Sequence, residues 1–334
     1  MIPCINHKPS RRSLVLGAAT AFALTTAAPA ATAKDYPSRA INVVVPYAPG
    51  GTADVLFRLI APGMEKSLGQ NIVVVNRAGA SGMIGTESVA RAAPDGYTLL
   101  VVTAGLPIAA SVNRSNPNFT FNIQKDIEPV AAYASTPYFL FTSKSLGVKN
   151  VAEFIAMARE RPGKITYGSS GAGQSGHLAG AKFELNTGTQ MLHVPYKGTG
   201  PAMNDLAAGH IDSIFVGLPT AVPFLDANRI EVLGVASPER VSLRPDIATL
   251  DESGTQGFEA RAWYGVFAPA GTPAAIKDKV SKAVLAAMSD PGLTDKLTGL
   301  GAIPMVMDTA KLSEFFTAEI RSVNEVVDKL PSLK

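Results

Sequence analysis

Three glycine-rich loops carry the residue types that could do chemistry here, and each follows a short apolar run. They are Pro46-Tyr47-Ala48-Pro49-Gly50-Gly51-Thr52-Ala53-Asp54, Asn76-Arg77-Ala78-Gly79-Ala80-Ser81-Gly82, and Tyr167-Gly168-Ser169-Ser170-Gly171-Ala172-Gly173-Gln174-Ser175-Gly176-His177. Glycine lets a backbone approach a ligand closely and present successive amide hydrogens. Where a helix follows, its first amides add partial positive charge, so an anion can be held without a cationic side chain. One such loop is also what a tight strand-to-helix turn looks like. Three in one chain point to a shared anion cleft.

Other chemistries fit less well. Gly171-x-Gly173-x-x-Gly176 matches the spacing of a dinucleotide fingerprint. That motif also needs an acidic residue at the end of the next strand, where this chain reads Met191-Leu192-His193-Val194-Pro195-Tyr196. No Gly-x-x-x-x-Gly-Lys-Ser/Thr phosphate loop occurs, which disfavours an ATPase. Ser175 and His177 could belong to a hydrolase, but no Gly-x-Ser-x-Gly elbow surrounds them. A metal would have to rely on His177, His193 and His210, of which only His210-x-Asp212 is closely spaced. Trp263 and Tyr264 could line a cleft or fill a core. No cofactor is expected.

The elements that must position these loops alternate along the chain. Ile41–Val45, 72–75, 97–103, 165–168, 191–194, 211–216 and 231–235 read as strands, with helical segments near 83–93, 150–160, 177–187, 199–208 and 218–227. Such alternation gives an open α/β sheet with right-handed crossovers. A helix with Val55, Leu56, Leu59 and Ile60 on one stripe follows the first strand, and Pro62-Gly63 should break or kink it. Late in the chain, Thr272 caps and Pro273 opens a helix with the stripe Ile276, Val280, Val284 and Met288. Asp308 opens another, with Leu312, Phe315, Phe316, Val323 and Val327 inward. Residues 127–142 and 256–269 are extended and apolar, without flexible spacers. Two such crossings suggest a discontinuous first lobe (34–135 plus 259–334) and a second lobe (136–258), with ligand between them beyond the strand ends.

The composition narrows the field further. With 334 residues, 46% apolar and 17% charged, the chain is a folded globular protein of two-domain size. Lys8, Arg11 and Arg12 are the only charges before Lys34; without them the basic residues number 27, equal to the 27 acidic ones. A neutral body has no field for phosphate backbones, so no nucleic-acid partner is expected. Cys4 is the single cysteine, which excludes a disulfide framework or thiolate chemistry downstream.

Residues 1–33 read as a cleavable export signal: a basic start, an apolar stretch of 11 residues from Leu14 to Leu24, and the small-x-small site Ala31-Thr32-Ala33. The stretch is too short to span a membrane. Ser10-Arg11-Arg12-Ser13-Leu14-Val15 is similar to a twin-arginine signal, which leaves both export routes open. The mature chain is expected to start at Lys34, in the periplasm, with no insertion into the membrane.

Several motifs, in order, carry a resemblance. They are Tyr36-Pro37-Ser38-Arg39, Val45-Pro46-Tyr47-Ala48-Pro49-Gly50-Gly51, Asn76-Arg77, Ala93-Pro94-Asp95-Gly96-Tyr97-Thr98-Leu99-Leu100, Val194-Pro195-Tyr196-Lys197-Gly198-Thr199-Gly200-Pro201-Ala202, Gly209-His210-Ile211-Asp212 and Ala268-Pro269-Ala270-Gly271-Thr272-Pro273. The chain resembles the Bug family, periplasmic solute receptors of tripartite tricarboxylate transporters, over nearly all of its mature length. The resemblance implies a type II periplasmic-binding-protein fold, two α/β lobes closing on a carboxylate, and no enzymatic activity. It implies transporter subunits in the membrane as partners. On the first lobe it points to Tyr47, Ala48, Gly50, Gly51, Thr52, Asp54, Gly79, Ala80 and Ser81. On the second it points to Ser169, Gly171, Ser175, His177 and Asp212. Ala78, where the family commonly has proline, and Pro62-Gly63 inside the first helix depart from its pattern. Two alternatives stand beside this reading: an α/β hydrolase using Ser175 and His177, and a receptor that signals to a sensor kinase.

Overall fold

The computed structural model describes residues 36–117, 120–241 and 243–329. The expected export signal and the start at Lys34 lie outside the described residues. The elements run β1 (Ile41–Val45), α1 (Thr52–Leu68), β2 (Ile72–Asn76), α2 (Met83–Ala90), β3 (Thr98–Thr103), α3 (Gly105–Val112) and β4 (Ile127–Ser143). They continue with α4 (Val151–Glu160), β5 (Thr166–Ser169), α5 (Ser175–Thr187), β6 (Leu192–Pro195), α6 (Thr199–Ala208), β7 (Ser213–Gly217), α7 (Leu218–Asp226) and β8 (Ile230–Val235). The last are β9 (Arg261–Pro269), α8 (Ala274–Met288), α9 (Pro291–Gly299), β10 (Ile303–Met307) and α10 (Thr309–Lys329).

Two sheet regions make the two lobes. In the first, β1 lies between β2 and β3 in parallel, β9 runs antiparallel to β3 and β4, and β10 pairs antiparallel with β4. In the second, β5 pairs in parallel with β6 and β7, while β7 and β8 run antiparallel to β4. Strand β4 takes part in both. Its residues Ile127 to Pro137 pair with β9, and Tyr138 to Thr142 pair with β7. The apolar run of β1 is buried at Ile41, Val43, Val44 and Val45 because strands flank it and helices cover it. Edge strand β2 instead leaves Val73 and Val75 exposed.

Several local expectations are revised. Helix α1 runs unbroken through Pro62 and Gly63, held by packing along α8, where Gly63 lies against Ala287. Thr272 does not cap α8: its hydroxyl donates to the Pro269 carbonyl at 2.7 Å, and Pro273 is the N-cap residue. Asp308 does open α10, accepting from the Lys311 amide at 2.9 Å. Helices α3 and α9 and strand β10 are not among the expected elements; they are short, Pro107 and Pro304 interrupt the patterns of α3 and β10, and Pro291 opens α9 at its first position. Strand alternation separates Trp263 from Tyr264. Trp263 packs edge-on against Phe316 of α10 and donates to Glu319 at 3.2 Å. Tyr264 faces the cleft.

Candidate functional site

The cleft between the lobes holds no more than about 400 Å³ of empty space and is lined by residues from both. The first lobe contributes Tyr47, Gly51, Thr52, Ala53, Thr103, Ala262 and Tyr264; the second contributes Tyr138, Ser170, Gln174, Ser175, Thr199 and Val216. None of these carries an ionised side chain. Burial pushes the Tyr47 phenol up to about 12, against hydrogen bonds to Thr103 and Gln174 that pull it down. Tyr138 and Tyr264 are raised for the same reason. The cleft therefore presents neutral hydroxyls, one carboxamide and backbone amides.

The start of α1 is the concentrated donor. Gly51 is its N-cap residue and makes no side-chain cap, so no capping side chain takes the first amides of this 17-residue helix, and Gly51, Thr52 and Ala53 line the cleft. The Thr52 amide donates to Thr199 Oγ1 of the other lobe at 3.2 Å. The Gly50 amide is turned away: it donates to Asp54 Oδ2 at 3.0 Å. That carboxylate also accepts from Arg58 Nε and Asn76 Nδ2, each at 3.0 Å. Burial would raise its pKa, but the bonds from Arg58, Gly50 and Asn76 hold it below the usual carboxylate range. Asp54 thus braces the first loop from behind.

The second loop is conformationally costly. Ala80 and Ser81 have φ of 45° and 54°, in the left-handed region that non-glycine residues enter at about 1–3 kcal/mol each. Ser81 Oγ donates to the Ala172 carbonyl across the cleft at 2.7 Å. Ser81 thus lies against Gly171 and Ala172 of the third loop, whereas Gly79 lies against Ile84, and none of Gly79, Ala80 and Ser81 lines the cleft itself. Further bonds join the lobes directly: the Ala48 amide to the Lys197 carbonyl at 3.0 Å, and Thr52 Oγ1 with Thr220 Oγ1 at 2.6 Å.

The third loop is braced by two histidines, its own His177 and His193 of β6. His177 Nδ1 accepts from the Gly173 amide at 3.0 Å, and its ring stacks on His193 with centroids 3.8 Å apart. Burial pushes His177 down to about 4; burial and the neighbouring His177 push His193 down to about 3. Ser169 is 1% exposed and bonds His193 Nε2 at 2.7 Å. Ser169, Gly171 and His177 therefore shape the loop, while Ser175 reaches the cleft and bonds Tyr138. Ser175 and His177 do not pair, so the hydrolase alternative has no assembled dyad. Asp212 sits at the opposite end of its strand, accepting from the Thr166 amide and hydroxyl at 2.8 and 2.9 Å. It is a strand-start brace away from the cleft, and not a partner for His210, which pairs with Asp205 at 3.3 Å. Among the described residues no cluster of three or more His, Cys, Asp or Glu could hold a metal.

Sequence reasoning missed Thr103, Tyr138, Ser170, Gln174, Thr199 and Thr220, while Tyr264, one of the two aromatics it offered for the cleft, does line it. Gln174 and Ser170 stood inside the third loop, and Thr199 inside a motif already singled out. Thr103 ends β3, Thr220 lies in the first turn of α7 and Tyr138 lies inside β4, all in stretches whose local patterns resemble core.

The description "Tripartite tricarboxylate transporter family receptor" matches residues 56–331. The chain is 32% identical over 289 residues to BugT of Bordetella pertussis, covering 86% of this chain and 88% of that one. Among solved structures it is similar to MatC of Rhodopseudomonas palustris with bound malate (TM-score 0.80, 33% identity, 87% of this chain and 100% of that one). It is also similar to Rpa4515 of R. palustris with adipate (TM-score 0.82, 34% identity, 90% and 98%).

Proposed function

We propose, for a chain that belongs to the tripartite tricarboxylate transporter receptor family, that it captures a small organic carboxylate between its lobes and delivers it to a membrane transporter of that type. It is a substrate-binding receptor of the Bug group and not an enzyme. The lobes are taken as 34–135 plus 259–334 and 136–258, and the place of work as the periplasm. No helix among the described residues is long and apolar enough to cross a membrane.

One observation carries the reading. The uncapped start of α1, at Gly51, Thr52 and Ala53, faces a ring of neutral hydroxyls on the opposite lobe, with no ionised side chain lining the space. A carboxylate end would take the Gly51 and Ala53 amides beside the Thr52 amide that already donates to Thr199 Oγ1, gaining from the helix dipole. The hydroxyls of Tyr138, Ser175, Thr199 and Tyr264 and the Ser170 side chain are within the same cleft to orient the remainder. Malate and adipate, bound by two similar proteins, are the first ligands to try.

The test is a panel of mono-, di- and tricarboxylates screened by thermal shift and titration calorimetry, with the ligand recovered and checked intact by mass spectrometry. Binding without turnover is expected. Small-angle scattering should give a smaller radius of gyration at saturation, since contacts from both lobes favour closure. Saturable turnover of a carboxylate ester, or no binding across the panel, would overturn the reading.

A further inference from the structure

Gln174 occupies the N-cap position of α5 yet makes no capping bond, although that position favours short side chains that do. Its side chain instead crosses the cleft, and the residue is only 2% exposed. Nε2 donates to the Ser81 carbonyl at 2.7 Å and to the Gly105 carbonyl at 3.2 Å, while Oε1 accepts from the Tyr47 hydroxyl at 3.2 Å. All three partners belong to the first lobe. Two carbonyls at one end and a hydroxyl at the other fix which end is the amino group.

The socket exists because residue 105 is glycine. A Cβ there would lie 1.7 Å from Gln174 Oε1. Tyr47 is itself held by Thr103 Oγ1 at 2.9 Å. The Ser81 carbonyl that Gln174 grips belongs to the left-handed turn of the second loop, whose hydroxyl reaches Ala172. One side chain thus ties the third loop to the second loop, to the start of α3 and to Tyr47 of the first loop.

We propose that Gln174 is the positioning residue that bolts the lobes together, and that seating its carboxamide in the Gly105 socket couples lobe closure to the ordering of the second loop. Its effect on affinity rests on the carboxylate-binding reading above; its effect on lobe closure does not. The titratable group that faces it is Tyr47, whose phenol stays protonated throughout the ordinary pH range.

Gln174→Ala removes the bolt, and Gly105→Ala fills the socket while placing a good helix former at the start of α3. Each should weaken binding of malate or adipate about tenfold to a hundredfold, the scale of one or two buried hydrogen bonds. In the double variant the socket no longer has an occupant to displace, so Gly105→Ala should add less than about twofold to Gln174→Ala. Gln174→Glu turns a carboxylate towards two carbonyls. Its deficit against wild type, measured at equal pH, should narrow from about pH 8 to about pH 5 as that acid gains a proton able to donate. A residue that only stabilised the fold would show no such recovery.

Small-angle scattering on the same proteins, with and without malate or adipate, reads closure directly. The bolt predicts a more open average for Gln174→Ala in at least one arm. Coincident profiles in both arms, or additive costs in the double variant, would overturn it. If no carboxylate binds but the ligand-free profiles differ, the bolt stands and the carboxylate reading falls.

Discussion

Replacing Gly51 with valine should abolish most ligand binding while leaving the fold intact, and the structure sets the scale. Gly51 has φ of −77° and ψ of 164°, which any L-residue adopts, so the backbone itself does not demand glycine. The opposite lobe does. A Cβ at Gly51 would lie 2.7 Å from Thr199 Oγ1 and 3.6 Å from the Thr199 nitrogen and the Ala48 carbonyl. Relief requires Thr199 to move outward, which gives up its bond from the Thr52 amide at 3.2 Å. Overpacking costs about 1–3 kcal/mol and the lost bond about 0.5–1.5 kcal/mol. Together that is about 1.5–4.5 kcal/mol, or about 10- to 2,000-fold in affinity. Gly51→Ala, without the two γ carbons, should cost about tenfold. Arg77→Ala is the control: Arg77 is exposed and outside the cleft lining, so its loss should change affinity less than about threefold. Titration calorimetry with malate or adipate reads all three, and circular dichroism checks the fold. Normal binding by Gly51→Val with a large loss in Arg77→Ala would refute the argument, because the site would then be a side-chain ion pair.

Asp212→Ala should lower stability by about 1–3 kcal/mol through its lost bonds to Thr166 with affinity unchanged; a selective loss of affinity in denaturation and calorimetry would place Asp212 back at the ligand. Asp54→Ala should lower both, because it unfixes the first loop. The folded pKa of Asp54 lies below its unfolded value, so its stabilisation is present at neutral pH and disappears as pH falls through the folded pKa. His177 and His193 work in the acidic range with the other charge balance. Their folded values, about 4 and about 3, lie below the unfolded value of about 6.5, so the unfolded chain binds more protons between. Melting temperature should therefore fall as pH drops from about 6.5 towards about 3, and His177→Asn should flatten that slope; an unchanged slope would exclude the pair as its source.

The elements best legible in the sequence are those with an unbroken pattern. The runs of β1 and β7 and the stripes of α8 and α10 lie close to where periodicity places them, since each buries one continuous apolar face. Pro62 in α1 misled because local chain preference yields to the contact with α8. The first loop was legible as a donor site from its glycines, but Asp54 and Asp212 were not legible as braces: a carboxylate's role depends on which amides the fold turns towards it. Gln174 and Gly105 lie 69 positions apart, and nothing in either local sequence announces that one fills the space left by the other.

Strand β4 has a consequence for how the molecule comes apart. Its 17 residues serve as an interior strand for both sheet regions, so neither lobe owns a complete sheet. Cutting the chain between the lobes would strip one half of its central pairing partner and leave a bare apolar edge. An excised lobe is therefore an aggregation hazard and not a miniature receptor. Melting of either half takes the shared strand with it, which makes the two lobes one cooperative unit in unfolding.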